Sequence, residues 1–181
     1  MWKKRGILFD DEDSEAIEDW ALRKRRPNGW MFWGSFAGGI KGPTFVWEKE
    51  YGGINSDKYI QHILPLLATH FRRHPQHLFQ QDNAPSHRSR KTTTALTAAG
   101  IPILRFPAYS PDLTPIENVW PWIKNYIEDR YNLQELGLNE LRQVIQEAWD
   151  AVPIEFLLLL AHSMPHRLQM CIEKGGGQID Y

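Results

Sequence analysis

Two acidic residues stand where a pair of distant carboxylates could do chemistry together. Asp82 follows a short apolar run that ends at residue 81, and Glu117 lies at the start of a helical pattern. Thirty-four residues separate them, which is enough chain for one helix and one strand. Such an arrangement can bring both carboxylates to one edge of a sheet, where a divalent cation could bind.

A third carboxylate becomes available if Asp11, which follows the apolar run 6–9, ends a neighbouring strand. Three carboxylates held close together repel one another, and a bound cation relieves that repulsion. Ligands that are all oxygen suit magnesium or manganese better than zinc. Two such ions, roughly 4 Å apart, can activate a water or a 3′-hydroxyl and stabilise the leaving oxygen of a phosphodiester.

Each of these acids also has an ordinary structural interpretation. Thr114 and Glu117 fit a capping box, with Pro115 at the first helical position. Asp82 could simply form a turn after a strand, and Asp11 lies among other acidic residues as one more solvated charge. Residue types and spacing alone therefore leave the metal site and the structural roles both open.

The elements that would position these acids alternate between strands and helices. Aromatic and glycine-rich segments predict a β-hairpin from strands 30–36 and 44–47. Further strands are predicted at 77–81 and 103–106. One helix is predicted to begin after Asn55 and to kink at Pro65, and a second is predicted over 86–99 with closure by Gly100. Further helices are predicted from Pro115 and over 139–151, 154–161 and 164–174. This order indicates a mixed α/β domain with a central sheet and a helical C-terminal tail.

Composition sets limits on the other classes of function. The 181 residues correspond to one ordinary domain, and the net charge of −1 gives no general attraction to nucleic acid or membrane. Cys171 has no partner cysteine in the sequence, which favours a reducing compartment. His70, His74 and His77 could be considered as zinc ligands, but a surface histidine cluster is the preferred interpretation.

Around the acids the chain closely resembles the DDE catalytic domain of Tc/mariner-type transposases. QQDNAPSH resembles that family's second-aspartate motif, PAYSPDLTPIENVW its third-acid motif, and WKKRGILFDDE its first-aspartate strand. The segments MFWGSF and KGP and the closing run SMPHRLQMCIEKGG also fit the family pattern. The resemblance covers nearly the whole chain, and its second and third motifs are long and specific.

The resemblance implies a ribonuclease-H-like fold that cleaves transposon ends and transfers the strand into target DNA, using two magnesium or manganese ions. It makes Asp11, Asp82 and Glu117 the metal ligands and places Asn83 and His87 in the same pocket. Three basic residues of the following helix are expected to contact phosphates: Arg88, Arg90 and Lys91. A nuclear location follows from this activity, and a homodimer is compatible with it.

Three departures from the family pattern qualify these expectations. The sequence begins close to the first catalytic strand, so we expect a single domain over 1–181 without the family's N-terminal helix-turn-helix region. Only twenty-one residues separate Asp11 from Trp33, which is short for the family. Pro121 should bend the helix just beyond Glu117. An alternative is therefore an inactive, transposon-derived remnant that acts only as a DNA- or protein-binding module.

Overall fold

The computed structural model describes residues 31–105, 107, 110–133 and 135–181. Asp11 and the predicted first strand lie outside these residues. The described chain opens with an antiparallel hairpin of β1 (Met31–Ala37) and β2 (Ile40–Trp47), which pairs Met31 with Trp47 and shifts its register between Gly34 and Phe36. Gly38 adopts φ +55° in the turn, a conformation that glycine tolerates without steric cost. The predicted hairpin is confirmed.

The first two helices are separated at Ile63, two residues before Pro65. Helix α1 (Ser56–His62) begins after Asn55, whose side chain accepts a hydrogen bond from the Lys58 N–H at 3.0 Å. Helix α2 (Leu64–Arg73) follows almost directly. Pro65 has no N–H, so one continuous helix could not keep all its backbone hydrogen bonds through this point. The N-cap predicted at Asn55 is confirmed, and in place of a kink at Pro65 the chain is interrupted at Ile63, so Pro65 lies in the first turn of α2.

Two segments predicted as strands meet in a parallel bridge between Phe79 and Ile103. Phe79 donates to the Pro102 carbonyl at 2.8 Å, and Leu104 donates to the Phe79 carbonyl at 2.9 Å. In the described residues the pairing is limited to this bridge, so the predicted strands 77–81 and 103–106 are shorter than expected. Their parallel direction still brings the ends that follow Phe79 and Ile103 to the same edge.

The helix predicted over 86–99 is divided into α3 (Pro85–Arg88) and α4 (Arg90–Ala98), so its expected continuity is wrong. Ser89, with φ −58° and ψ 146°, leaves the helical conformation between them. Its side chain then caps α4 by accepting from the Thr92 N–H at 3.1 Å. A serine is well suited to this interruption because its hydroxyl replaces a missing backbone partner. Gly100 closes α4 with φ +72°, as predicted.

The third-acid segment folds as two short 3₁₀ turns, Pro111–Leu113 and Pro115–Asn118, followed by α5 (Val119–Glu128). The change from 3₁₀ to α geometry occurs just before Pro121, which therefore lies in the first turn of α5. An N–H at that position has no partner within the helix, so proline is tolerated there. Pro121 thus marks the start of α5 rather than bending a longer helix.

The C-terminal part is helical, as predicted. Its three helices are α6 (Leu138–Ala151), α7 (Ile154–His162) and α8 (Met164–Glu173). Helices α5 to α7 share a core with β1, at whose centre Phe32 packs against the rings of Trp120 and Trp149. A second core joins α1, α2 and α4 to the bridge segments around Phe79 and Ile101. In the described part of the chain, no helix is long and apolar enough to cross a membrane.

Candidate metal and DNA site

Asp82 lies directly beyond the Phe79 bridge, at the edge where the two bridge segments end. Its Oδ1 atom accepts a hydrogen bond from the Ala84 N–H at 3.1 Å and also contacts Nδ1 of His87. The Asp82 side chain is 55% exposed, whereas that of His87 is only 17% exposed. Partial burial by itself raises the pKa of the Asp82 carboxyl, but the contacts from His87 and Ala84 outweigh it and lower that pKa. The carboxylate is therefore ionised and open to solvent at neutral pH.

His87 is held in place from behind by a buried tyrosine. The rings of Tyr59 and His87 lie 4.7 Å apart between centroids, and Tyr59 is only 1% exposed. The Tyr59 hydroxyl donates to Oε1 of Gln81 at 2.8 Å, so the residue next to Asp82 is fixed by the same side chain. Burial first, and then the negative charge of Asp82, raise the pKa of Tyr59, so its hydroxyl stays protonated and remains a donor.

Two side chains connect the Asp82 turn to the segments that follow it in space. Asn83 donates from Nδ2 to the Pro107 carbonyl at 3.0 Å. Gln80 donates from Nε2 to the Leu113 carbonyl at 3.0 Å. The second bond joins the segment that leads into Asp82 to the first 3₁₀ turn, which precedes the turn that contains Glu117. The motifs that carry the two predicted acids are thus adjacent in the structure.

Glu117 lies within the second 3₁₀ turn, and its N–H donates to the Thr114 carbonyl at 3.0 Å. The Thr114 hydroxyl donates to the Ser110 carbonyl at 3.0 Å and makes no capping bond to the turn. A reciprocal capping box needs the threonine oxygen to accept from the backbone near Glu117. The predicted capping bond from the turn to the Thr114 side chain is therefore wrong, because this hydroxyl bonds to the preceding loop at Ser110 instead.

Arg167, which the sequence analysis did not single out, lies beneath this turn. It is fully buried, and its guanidinium donates to the Asp112 carbonyl at 2.7 Å and to Oδ1 of Asn118 at 2.9 Å. A third bond, from Nε to the Ser163 hydroxyl at 2.8 Å, anchors it within α8. The sequence signal was an arginine four residues after Ser163, inside the run SMPHRLQMCIEKGG. Its partners lie about fifty residues away in sequence, so the pattern alone could not identify them.

The three predicted phosphate contacts all lie at or near the junction of α3 and α4, and all are exposed: Arg88, Arg90 and Lys91. Lys91 forms an ion pair with Asp57 of α1. Both side chains of this pair are more than 60% exposed, so it is weak and open to competition from another anion. The structure therefore places the three cations on one short stretch of surface that begins beside His87.

The chemistry of Asp82 fits a hard divalent cation. Within the described residues, both hydrogen bonds to its carboxylate end on Oδ1, and the side chain is half exposed and ionised. Among those same residues no group of three or more histidine, cysteine or acidic side chains is arranged to hold a metal. Of the three predicted ligands, Asp82 and Glu117 are described, and Asp11 lies outside the described residues.

The three histidines at the end of α2 lie together. His70 and His74 have ring centroids 4.7 Å apart, and His74 stacks on His77 at 4.9 Å. Nε2 of His70 lies 3.2 Å from Nδ1 of His77. Burial first, and then the two neighbouring imidazoles, lower the pKa of His70. Parallel stacking turns ring edges away from a common point, so the arrangement is that of a packed cluster.

The fold matches that of a solved transposase domain. A structure of the Mos1 transposase catalytic domain with Raltegravir and Mn has a TM-score of 0.72 at 22% identity, covering 84% of this chain and 78% of that chain. The Mos1 strand transfer complex has a TM-score of 0.75 at 22% identity and covers 99% of this chain and 51% of that chain. The fold is therefore ribonuclease-H-like, and the predicted mixed α/β fold is confirmed.

Sequence comparison gives the family. Residues 18–137 match the DDE superfamily endonuclease family. The Tc3 transposase of Caenorhabditis elegans is 36% identical over 155 residues, which are 83% of this chain and 45% of the relative. The Tc1 transposase of the same organism is 32% identical over 105 residues, 58% of this chain and 37% of the relative. The chain belongs to the DDE endonuclease superfamily, as a Tc/mariner-type transposase domain, and it spans less than half the length of these relatives.

Proposed function

We propose that this domain catalyses metal-dependent cleavage of DNA phosphodiesters and strand transfer. The observation that carries the proposal is the hydrogen bond from Gln80 to Leu113, because it joins the strand before Asp82 to the turns before Glu117. This bond supports the proposal because it brings the segments that carry the two carboxylates next to each other. Family membership supplies the reaction class, and the transposon-end complexes solved for Mos1 support DNA as the partner.

In this proposal Asp11, Asp82 and Glu117 hold two magnesium or manganese ions. Bound ions would activate the attacking hydroxyl and stabilise the leaving oxygen. His87 keeps the Asp82 carboxylate ionised and oriented, and Asn83 fixes the loop after it on the Pro107 carbonyl. The use of divalent metal is supported by the Mos1 catalytic domain structures solved with Mn and with Mg.

The exposed cations beside the pocket would receive the DNA backbone. Arg88, Arg90 and Lys91 provide three positive charges at one helix junction, which suits phosphate contacts without base recognition. Lys91 would exchange Asp57 for a phosphate, at small cost because the existing pair is exposed. The proposed partners are transposon ends and target DNA, the proposed location is the nucleus, and a homodimer is consistent with the paired-end complexes of Mos1.

The test is nicking of supercoiled plasmid by the purified chain with Mg²⁺ or Mn²⁺, compared between the parent, Asp82→Asn and Glu117→Gln. Matched controls are Asp150→Asn, whose side chain accepts a bond from Gln146 in α6, and Glu128→Gln, at the far end of α5. We expect the two site variants to lose nicking by a factor of 100 or more, on the order of the loss of an essential electrostatic group, while the controls keep it. Nicking that is absent from the parent, or equal in all five proteins, would favour the inactive remnant instead.

A further inference from the structure

Arg167 is a buried cation whose hydrogen bonds end on neutral acceptors. It is 0% exposed, and none of the ion pairs found in the described part of the chain includes it. Burial lowers the pKa of the Arg167 guanidinium, and the nearby charge of Asp112 only partly offsets this, so its donors must be satisfied in a fixed geometry. The three hydrogen bonds and the ring of Tyr181, which lies 3.8 Å from the guanidinium carbon, supply that geometry.

The hydrogen bonds of Arg167 fall on both ends of the third-acid segment. Nη1 reaches the Asp112 carbonyl in the first 3₁₀ turn, and Nη2 reaches the Asn118 side chain, the residue next to Glu117. The planar guanidinium fixes the distance between these two acceptors because its donors point in fixed directions. A 3₁₀ turn has poorer hydrogen-bond geometry than an α-helix, so this segment depends on outside contacts for its shape.

The C-terminal tail adds a second restraint at the same place. The Ile179 N–H donates to Oδ2 of Asp112 at 2.9 Å, and the Ile179 side chain is buried. Asp112 is therefore held through its carbonyl by Arg167 and through its carboxylate by the tail. The last helix and the tail thus contact the two 3₁₀ turns at three points, two at Asp112 and one at Asn118, although they contribute no acid to the site.

We infer that Arg167 is a positioning residue, which fixes the backbone from Asp112 to Asn118 so that Glu117 is preorganised for a divalent cation. This inference rests on the proposed function for the role of Glu117. Partners of metal ligands usually change metal affinity when they are removed, typically by about 10- to 100-fold. A purely structural arginine would lower the stability of the fold without changing metal affinity in the folded protein.

The inference is tested with Arg167→Lys, which keeps the charge but cannot reach three acceptors, and with Asn118→Ala, which removes one acceptor and leaves the buried arginine in place. Leu157→Ala is the matched control, because Leu157 is fully buried in the neighbouring helix α7 and makes no contact with the turn through hydrogen bonds. Amide hydrogen exchange over 111–119 and the Mg²⁺ dissociation constant by calorimetry are measured for each protein at a temperature where all are folded.

We expect Arg167→Lys and Asn118→Ala to exchange faster over 111–119 than Leu157→Ala and to bind Mg²⁺ at least about tenfold more weakly than the parent. If the turn exchanges at the same rate in Arg167→Lys as in Leu157→Ala, or if Mg²⁺ affinity is unchanged, the positioning role is overturned. A parent that binds no Mg²⁺ overturns the proposed function and the metal role with it. Hydrogen exchange would then still decide whether Arg167 orders the turn, because that measurement needs no metal.

Discussion

The contact between Asp82 and His87 gives the sharpest quantitative prediction. We consider a double-mutant cycle of His87→Ala and Asp82→Asn, measured as free energies of unfolding in the absence of divalent metal. His87→Ala removes the hydrogen bond to Oδ1 and the ring that packs on Tyr59. Asp82→Asn removes the negative charge and keeps the shape of the side chain. The coupling energy isolates the interaction from the loss of ring packing, since that loss is present on both sides of the cycle.

The size of the coupling follows from the exposure of the two partners. A hydrogen bond to a charged group contributes about 1.5–3 kcal/mol when it is well buried. An exposed ion pair contributes only about 0.2–1 kcal/mol. His87 is 17% exposed and Asp82 is 55% exposed, so solvent screens one side of this contact. We therefore expect a coupling energy of about 1 kcal/mol at pH 7, between the two ranges.

The pH dependence of this coupling has a definite sign. The pKa of Asp82 in the folded protein lies below its ordinary value of 3.8. A carboxyl with a depressed folded-state pKa contributes stability that is fully present above its unfolded pKa and is lost as the pH falls through its folded pKa. The part of the coupling that depends on the Asp82 charge should therefore decrease as the pH falls below 3.8. Urea unfolding followed by tryptophan fluorescence, repeated at several pH values, measures it.

Two results would contradict the reasoning. A coupling below about 0.3 kcal/mol at pH 7 is within the additivity expected of independent sites, and it would mean that His87 does not hold the carboxylate. A coupling of full size that persists at pH 3 and below would mean that the charge of Asp82 is not what His87 stabilises. In either case the pKa of Asp82 must be lowered by other groups.

Three further predictions concern the stability of the domain and involve Gln80, Gly34 and His70. Gln80→Ala should lower the free energy of unfolding by about 1 kcal/mol, through loss of the bond to the Leu113 carbonyl, and should speed hydrogen exchange in the following turn. Gly34→Ala should cost about 1–3 kcal/mol, because an added Cβ would lie 3.1 Å from the Trp149 ring; the midpoint of urea unfolding measures this. The lowered pKa of His70 favours its neutral form in the fold, so stability is lost as the pH falls below 6.5, and His70→Gln should flatten that loss between pH 7 and pH 5.

Local sequence patterns predicted the elements that depend on local chemistry. The N-cap at Asn55 and the closure at Gly100 each follow from one residue's backbone or side-chain properties, and the β-hairpin follows from a short run of aromatic and glycine residues. The division of the helix at Ser89 was missed, because serine is equally compatible with a helix interior and with a new cap. Only the surrounding contacts decide between them, such as the bond from the Thr92 hydroxyl to the Ser86 carbonyl at 2.6 Å.

The candidate site divides in the same way. Asp82 and Glu117 were predicted because their motifs are contiguous and chemically distinctive. Gln80 and Arg167 were not, because each acts through a carbonyl or amide 33 to 55 residues away in sequence. Every residue has a backbone carbonyl, so the type of a residue does not indicate whether its carbonyl accepts such a bond. The shape of the site thus depends on long-range contacts that sequence patterns do not predict.

The turn that contains Glu117 is held mainly by long-range side-chain contacts. The segment from Asp112 to Asn118 belongs to neither a strand nor an α-helix, so it lacks the regular ladder of backbone bonds that keeps such elements rigid. Its restraints are side chains from Gln80 on one side and Arg167 on the other, together with the tail at Ile179. The neutral bond from Gln80 contributes about 1 kcal/mol and a bond that involves a charged group about 1.5–3 kcal/mol, so no single one fixes the turn by itself. Because Arg167 contacts both ends of the segment, it makes those separate restraints act together, and the C-terminal helix becomes part of the candidate site without supplying an acid to it.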